Sequence, residues 1–208
     1  MGLLNLELEF QFKSAFHTTG NRLALEVDRA LYLHPVEDKP AIPATSIKGM
    51  LRRQAEIVLR ALGKQVCIPP RPEDLCDTCL VCRLFGSPRT KSPLIFEDAI
   101  LDGGVSQRAG VGIGRRRKTA REDPLMFSEI AYAPKARLRI YGIFQTKEDA
   151  ILASSLLYVA SKHSLALGSS MSRGLGWIEL EHVEITFDGS EVSLRDVEDK
   201  VKELMKNE

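Results

Sequence analysis

The chain has 208 residues, 44% hydrophobic and 27% charged, and its 29 Lys+Arg against 28 Asp+Glu leave a formal net charge of +1. This is ordinary globular composition for one domain with additions, and it excludes a uniformly basic nucleic-acid coat or a supercharged disordered tail. No apolar run approaches the roughly 18–20 residues that span a bilayer, and the start, Met1-Gly-Leu-Leu-Asn-Leu-Glu, has no basic leader, so a soluble, cytoplasmic protein is expected.

Residues 4–13 alternate strictly, with Leu4, Leu6, Leu8, Phe10 and Phe12 on one face and Asn5, Glu7, Glu9, Gln11 and Lys13 on the other. That is the pattern of a half-buried strand. Residues 14–44 have no period and form a long excursion, which in a compact domain usually serves function. Within it stand Asp28, an isolated carboxylate, and two histidines, His17 and His34, neither spaced as in a recognisable triad. From Thr45 to Leu62 the period is helical, through Ile47, Leu51, Ala55, Val58 and Leu62. Thr45 or Ser46 is the expected N-cap, and Gly63 stands just past the end. Lys48 and Arg52, four apart, share one face near the start of this helix.

Cys67, Cys76, Cys79 and Cys82 are the only cysteines, spaced C-x8-C-x2-C-x2-C. Four thiolates this close repel one another unless a soft cation lies between them, and tetrahedral Zn²⁺ meets that need. An iron–sulfur cluster is the rival. Its bacterial run continues C-x3-C-P, whereas Cys82 is followed by Arg83-Leu-Phe-Gly86. Pro69, Pro70 and Pro72 are expected to forbid regular structure here, so that the metal shapes the loop. With four protein ligands it would be structural.

Strands are expected at Leu94–Leu101 and Arg137–Phe144, with a second long excursion at 102–135 between them. In it, Arg108–Arg121 carries six basic residues and no acidic one, with Gly110, Gly112 and Gly114 at every second position. A flexible cationic arm of this kind suits a polyphosphate backbone. Residues 188–208 compensate with seven acidic and four basic side chains. Thr146-Lys-Glu-Asp149 is a capping box opening a helix to about Leu165. In Leu167–Gly176, Gly168, Gly174 and Gly176 free the backbone, while Ser169, Ser170, Ser172 and Arg173 supply donors for phosphate oxygens. This loop matches neither the P-loop nor the dinucleotide fingerprint. Gly174–Phe187 is the last strand. Ile178 and Leu180 are out of phase with Val183, Ile185 and Phe187, so a bulge is expected near Glu181-His182. Ser193-x-x-Asp196 caps a final helix carrying Val197, Val201 and Leu204.

Strand, helix, strand, strand, helix, strand is the order of a ferredoxin-like split βαβ unit. An α+β fold with a ferredoxin-like (RRM-like) core and long insertions is therefore expected. RNA-recognition modules use the open face of such a sheet.

Four landmarks in order are Ile42-Pro-Ala-Thr-Ser-Ile-Lys-Gly-Met-Leu-Arg52; Cys79-Leu-Val-Cys-Arg-Leu-Phe-Gly86 with Phe96-Glu-Asp-Ala99; the basic arm running to Leu125-Met-Phe-Ser-Glu129; and the Gly168–Gly176 loop. Together they resemble the RAMP superfamily of CRISPR-associated proteins, and within it the repeated backbone subunit of type III effector complexes. The resemblance implies a single RAMP domain over 1–208, with a zinc-binding insertion at 64–90, a thumb hairpin at 102–130 and a C-terminal helix at 190–208. It implies copies stacked helically along a guide (CRISPR) RNA, the thumb of one pressing over the guide held by its neighbour. Guide contacts would come from Ser46, Lys48 and Arg52, from Arg115, Arg116, Arg117, Lys118 and Arg121 of the thumb, and from Gly168, Ser172, Arg173 and Gly174. Target RNA would be cleaved at regular intervals through Asp28 and a divalent cation, expected to be Mg²⁺. Partners would be guide and target RNA, other effector subunits and further copies, and no membrane. Two other readings stand beside this one: a non-catalytic RNA-binding scaffold in which Asp28 pairs with Arg29 or Arg22, and a metal-independent guide-processing ribonuclease with His17 or His34 as base.

Overall fold

The strict alternation at the start of the chain makes a long central strand, β1 (Gly2–Phe12). In the computed structural model, which describes residues 1–20, 22, 24–67 and 71–206, it is flanked by two antiparallel partners, β7 (Lys135–Phe144) and β8 (Ile178–Phe187). Two short strands, β3 (Leu94–Phe96) and β9 (Ser190–Glu191), complete a five-stranded sheet ordered β3-β7-β1-β8-β9. Leu4, Leu6, Leu8 and Phe10 of β1 and Ala136, Leu138 and Ile140 of β7 are buried on one face. Against them pack α1 (Ala44–Ala61), through Ile47, Leu51, Ala55 and Leu59, and α3 (Lys147–Lys162), through Ala153, Leu156, Leu157 and Ala160. Each buried Leu, Ile or Phe among them contributes about 1.5–3 kcal/mol on leaving water, so this layer fixes where the loops beyond it stand. The helix α4 (Leu194–Met205) buries Val197 and Val201 and packs on α3, where Ser155 donates to Val197 O at 3.0 Å.

Several expectations hold locally. Thr146 accepts from the Asp149 N–H at 3.1 Å, and Ser193 from the Arg195 N–H at 3.2 Å. Glu9 faces His182 while Phe10 faces Leu180, which leaves Glu181 as the extra residue of the expected bulge. Others are corrected. α1 starts at Ala44 with no capping side chain of its own. Asp98 instead accepts the Ala44 N–H at 2.7 Å from 54 positions away, and its other oxygen takes the Tyr32 hydroxyl at 2.8 Å. The single strand expected at 94–101 is instead two, β3 and β4 (Ala99–Ile100), with Asp98 between them, and β4 pairs with β2 (Ala41–Ile42) in a separate two-stranded sheet. The cysteine insertion is not wholly irregular: α2 (Leu80–Phe85) forms in it and buries Val81, Cys82, Leu84 and Phe85. Pro69 and Pro70 lie outside the described residues.

The second excursion is a two-stranded ribbon of β5 (Gly104–Ile113) and β6 (Ala120–Tyr132), paired from Gly104↔Tyr132 to Val111↔Leu125. β5 is exposed along nearly its whole length. The root of the ribbon is held by single bridges, Phe16 to Ala131 and Arg29 to Ser128. No described helix is long and apolar enough to cross a membrane.

Candidate nucleic-acid interface and metal centre

The four cysteine sulfurs lie within 4.8 Å of one another. Cys67 Sγ is 3.7 Å from Cys79 Sγ and 3.4 Å from Cys82 Sγ. A tetrahedral metal with bonds of about 2.3 Å needs sulfurs about 3.8 Å apart, so the set fits a metal ion such as zinc. Cys79 caps α2 and Cys82 sits in its first turn, while Cys67 and Cys76 arrive from the loop before it. The Cys79 N–H donates to Cys76 Sγ at 3.3 Å. Burial pushes the Cys82 thiol up to about 12, whereas backbone donation, chiefly from Cys79, draws Cys76 down to about 6. The buried thiol thus resists ionising on its own, and a bound cation reverses that preference. Among the described residues no other trio of His, Cys, Asp or Glu is close enough to hold a metal.

α1 has two working faces. Lys48 stands over the Phe96 ring, 5.9 Å from its centroid, and Phe96 stacks on Phe85 of α2. Burial, reinforced by the nearby Arg52 charge, holds the Lys48 ammonium below the usual lysine range. Arg52 donates to Gly86 O at 2.8 Å and to Glu56 at 3.1 Å. Both cations therefore face the cysteine module. The neighbouring face, carrying Ser46, Gly49 and Arg53, looks across a cleft of about 640 Å³ at Thr18, Gly168 and Ser169. A Cβ on Gly49 would meet nothing within 4 Å, so the helix surface is open there. Ser169 Oγ is buried with no hydrogen-bond partner, an arrangement that leaves it wanting a ligand or water. Its N–H is spent on His17 O at 2.7 Å. Gly168 has φ +96°, and a Cβ there would come 2.5 Å from His17 O; only glycine lets this loop lie so close to the first excursion. Ser172, Arg173 and Gly174 are exposed on the following turn.

Arg115, Arg116, Arg117 and Lys118 occupy the ribbon's tip, which is closed by Lys118 N–H to Gly114 O at 2.8 Å and Gly114 N–H to Thr119 O at 2.9 Å. All four are exposed, and none makes an ion pair with a described side chain; the side chains of residues 121–124 are outside that description. Arg121 is on β6, and its side chain lies outside the described residues. Beside the ribbon a second cleft of about 580 Å³ is lined by Arg29, Arg108, Arg173 and Ser128.

Asp28 is exposed and anchored to β6: its N–H donates to Phe127 O at 2.9 Å and its Oδ2 accepts the Phe127 N–H at 2.7 Å. It forms no ion pair with Arg22 or Arg29 among the described residues. Arg22 pairs instead with Glu129, whose carboxylate also takes the Leu31 N–H at 2.8 Å. His17 is buried, with one ring nitrogen 2.6 Å from Glu129 O and the other 3.1 Å from the Thr19 hydroxyl. His34 accepts the Glu37 N–H at 3.3 Å within its own turn. Both histidines have local structural partners.

Sequence reasoning missed Arg53 and Thr18. Arg53 lies seven residues after Ser46, a helical repeat that could have shown it. Thr18 sits in a segment without period and gave no signal.

The sequence model of the RAMP superfamily matches residues 9–179. A chain in the cryo-EM structure of the Type III-B Cmr-beta bound to cognate target RNA is similar in fold, with a TM-score of 0.64 at 17% identity over 88% of this chain. This chain spans 61% of the length of that one. No curated protein matches the sequence.

Proposed function

This chain belongs to the RAMP superfamily, and from that premise we propose that it is an RNA-binding subunit of a type III CRISPR effector complex, working with guide RNA, target RNA and other effector subunits. One observation carries the reading: four exposed cations, Arg115 to Lys118, cluster at the ribbon tip, on a chain similar in fold to one from an RNA-bound type III-B structure. In this reading the core is a ferredoxin-like unit and the β5–β6 ribbon is the thumb, reaching over RNA held by the next copy in a helical stack. Ser46, Arg53 and the loop Gly168, Ser172, Arg173 and Gly174 bind guide phosphates across the α1 cleft, while Arg115, Arg116, Arg117, Lys118 and Arg121 bind from the thumb. Cys67, Cys76, Cys79 and Cys82 hold structural zinc, its four positions filled by protein.

Target cleavage falls to Asp28. The Phe127 N–H at 2.7 Å fixes one carboxylate oxygen and leaves the other for a cation. Asp28 would be the residue that holds a divalent cation such as Mg²⁺, and when bound that cation would offset charge on the scissile phosphate. The 2′-OH of a splayed nucleotide, held in line, attacks the adjacent phosphorus. The 5′-oxygen leaves, giving a 2′,3′-cyclic phosphate and a 5′-hydroxyl. A non-catalytic scaffold is favoured by the same hydrogen bond, which already gives Asp28 a structural task. The assembled complex separates the two: evenly spaced cleavage of a guide-complementary RNA, lost in EDTA and in Asp28→Ala, is the expected result. Cleavage that persists in Asp28→Ala assigns the carboxylate to the scaffold.

A further inference from the structure

A divalent metal held by four thiolates carries two net negative charges, and here that charge is partly buried at the junction of α1 and α2. Cys82 is 0% exposed, so water does little to screen its sulfur, and an uncompensated buried charge is costly. Among the described residues a single cationic side chain hydrogen-bonds a cysteine sulfur. Arg52 Nη2 lies 3.9 Å from Cys82 Sγ, while Nη1 donates to Gly86 O at 2.8 Å and Nε to Glu56 at 3.1 Å. Gly86 in turn donates its N–H to Cys82 O at 2.9 Å, so one planar guanidinium grips both ends of the turn that carries the buried ligand. Lysine, a point charge on a flexible stem, could not make this set of contacts.

We infer that Arg52 is the cation that offsets the thiolate charge of the four-cysteine centre and ties metal occupancy to the pose of α1, whose other face carries Ser46, Gly49 and Arg53. The inference rests on the cysteines holding a metal and is independent of RNA binding or cleavage. It also explains why a cation within the Ile42–Arg52 segment points away from the cleft that Ser46 lines.

The test uses the full chain and Co²⁺, whose thiolate charge-transfer absorption reports binding directly, with Zn²⁺ affinity then obtained by competition. Arg52→Gln should weaken metal affinity by about 10–100-fold, the usual loss on removing a group that supports a metal ligand. Arg52→Lys, which keeps the charge and loses the fork, should fall between Arg52→Gln and the unaltered chain. Glu56→Gln should bind at least as tightly as the unaltered chain, because it frees Arg52 of a competing carboxylate; this variant, with Arg52→Lys, decides the matter if Arg52→Gln does not fold. Hydrogen exchange across residues 44–61 should rise on chelation in the unaltered chain and rise less in Arg52→Gln, where the tie is already cut. Equal affinity in Arg52→Gln and the unaltered chain overturns the charge role, as does an equal loss in the Lys and Gln variants. Exchange in α1 that ignores chelation overturns the coupling. An unaltered chain that binds no Co²⁺ overturns the metal reading beneath both.

Discussion

On the open face of the sheet, Arg137 and Arg139 stand directly across from Glu9 and Glu7, and Lys135 lies between Glu9 and Glu181. At the ribbon tip, Arg115 to Lys118 stand exposed beside one another, and no described side chain pairs with them. The two regions hold similar numbers of cations and put them to opposite use. Paired charges on the sheet cancel each other's field and, being exposed, add little to stability. Clustered like charges on the ribbon repel, a cost the fold bears where no core lies beneath them. A net charge of +1 conceals this division. The open face of the sheet is a lattice of ion pairs, while the ribbon tip concentrates exposed positive charge.

Three measurements test whether the two regions differ in this way. The largest effect is expected from replacing Arg115, Arg116 and Arg117 together with Ala. If each meets one phosphate, the plot of log affinity for single-stranded RNA against log salt should flatten by about 2 units, at about 0.7 per phosphate; an unchanged slope would put the tip in the same class as the sheet. Next, Gly49→Leu should weaken RNA binding by about tenfold, or about 1.4 kcal/mol, by filling the cleft beside Ser46. The helix itself should tolerate the change, since nothing lies within 4 Å of the new Cβ, and thermal melting checks this separately. The smallest effect belongs to the sheet. Arg137→Gln with Arg139→Gln should leave both RNA affinity and its salt slope unaltered.

Acid provides a second handle on that face. Hydrogen bonds from Lys135 and then Arg137 hold the Glu9 carboxyl below its ordinary 4.5. A depressed folded value means that its contribution is complete above about pH 4.5 and disappears as pH falls through the lowered value. Melting curves of Glu9→Gln should accordingly lose less on acidification than those of the unaltered chain.

What could be read in advance was whatever depends on neighbours in sequence. The alternation of Leu4 to Phe10, the Thr146 cap and the Glu181 bulge each involve residues a few positions apart, or a phase visible within one strand. The four cysteines, within sixteen residues, announced their own grouping. The misreadings share a different cause. Asp98 caps α1 from 54 positions away, so neither the missing local cap nor the break in the strand expected at 94–101 could be anticipated. α2 is a six-residue helix, too short to show a period, and it follows a proline-rich stretch. Asp28 finds its partner 99 residues on, at Phe127. Lys48 and Arg52 were rightly placed on one face of the helix, but which face meets the cysteines and which the cleft is decided by tertiary packing.

The ribbon's ten-residue first strand spans about 34 Å at about 3.4 Å per residue, and the Phe16–Ala131 and Arg29–Ser128 bridges are its fulcrum. Leverage follows from those proportions. A tilt of about 10° at the base would sweep the far end through about 6 Å, nearly twice the roughly 3.4 Å rise between stacked bases. A change at Phe16 or Ala131 that alters the tilt, though remote from any charge, would thereby be amplified into several ångströms at the other end.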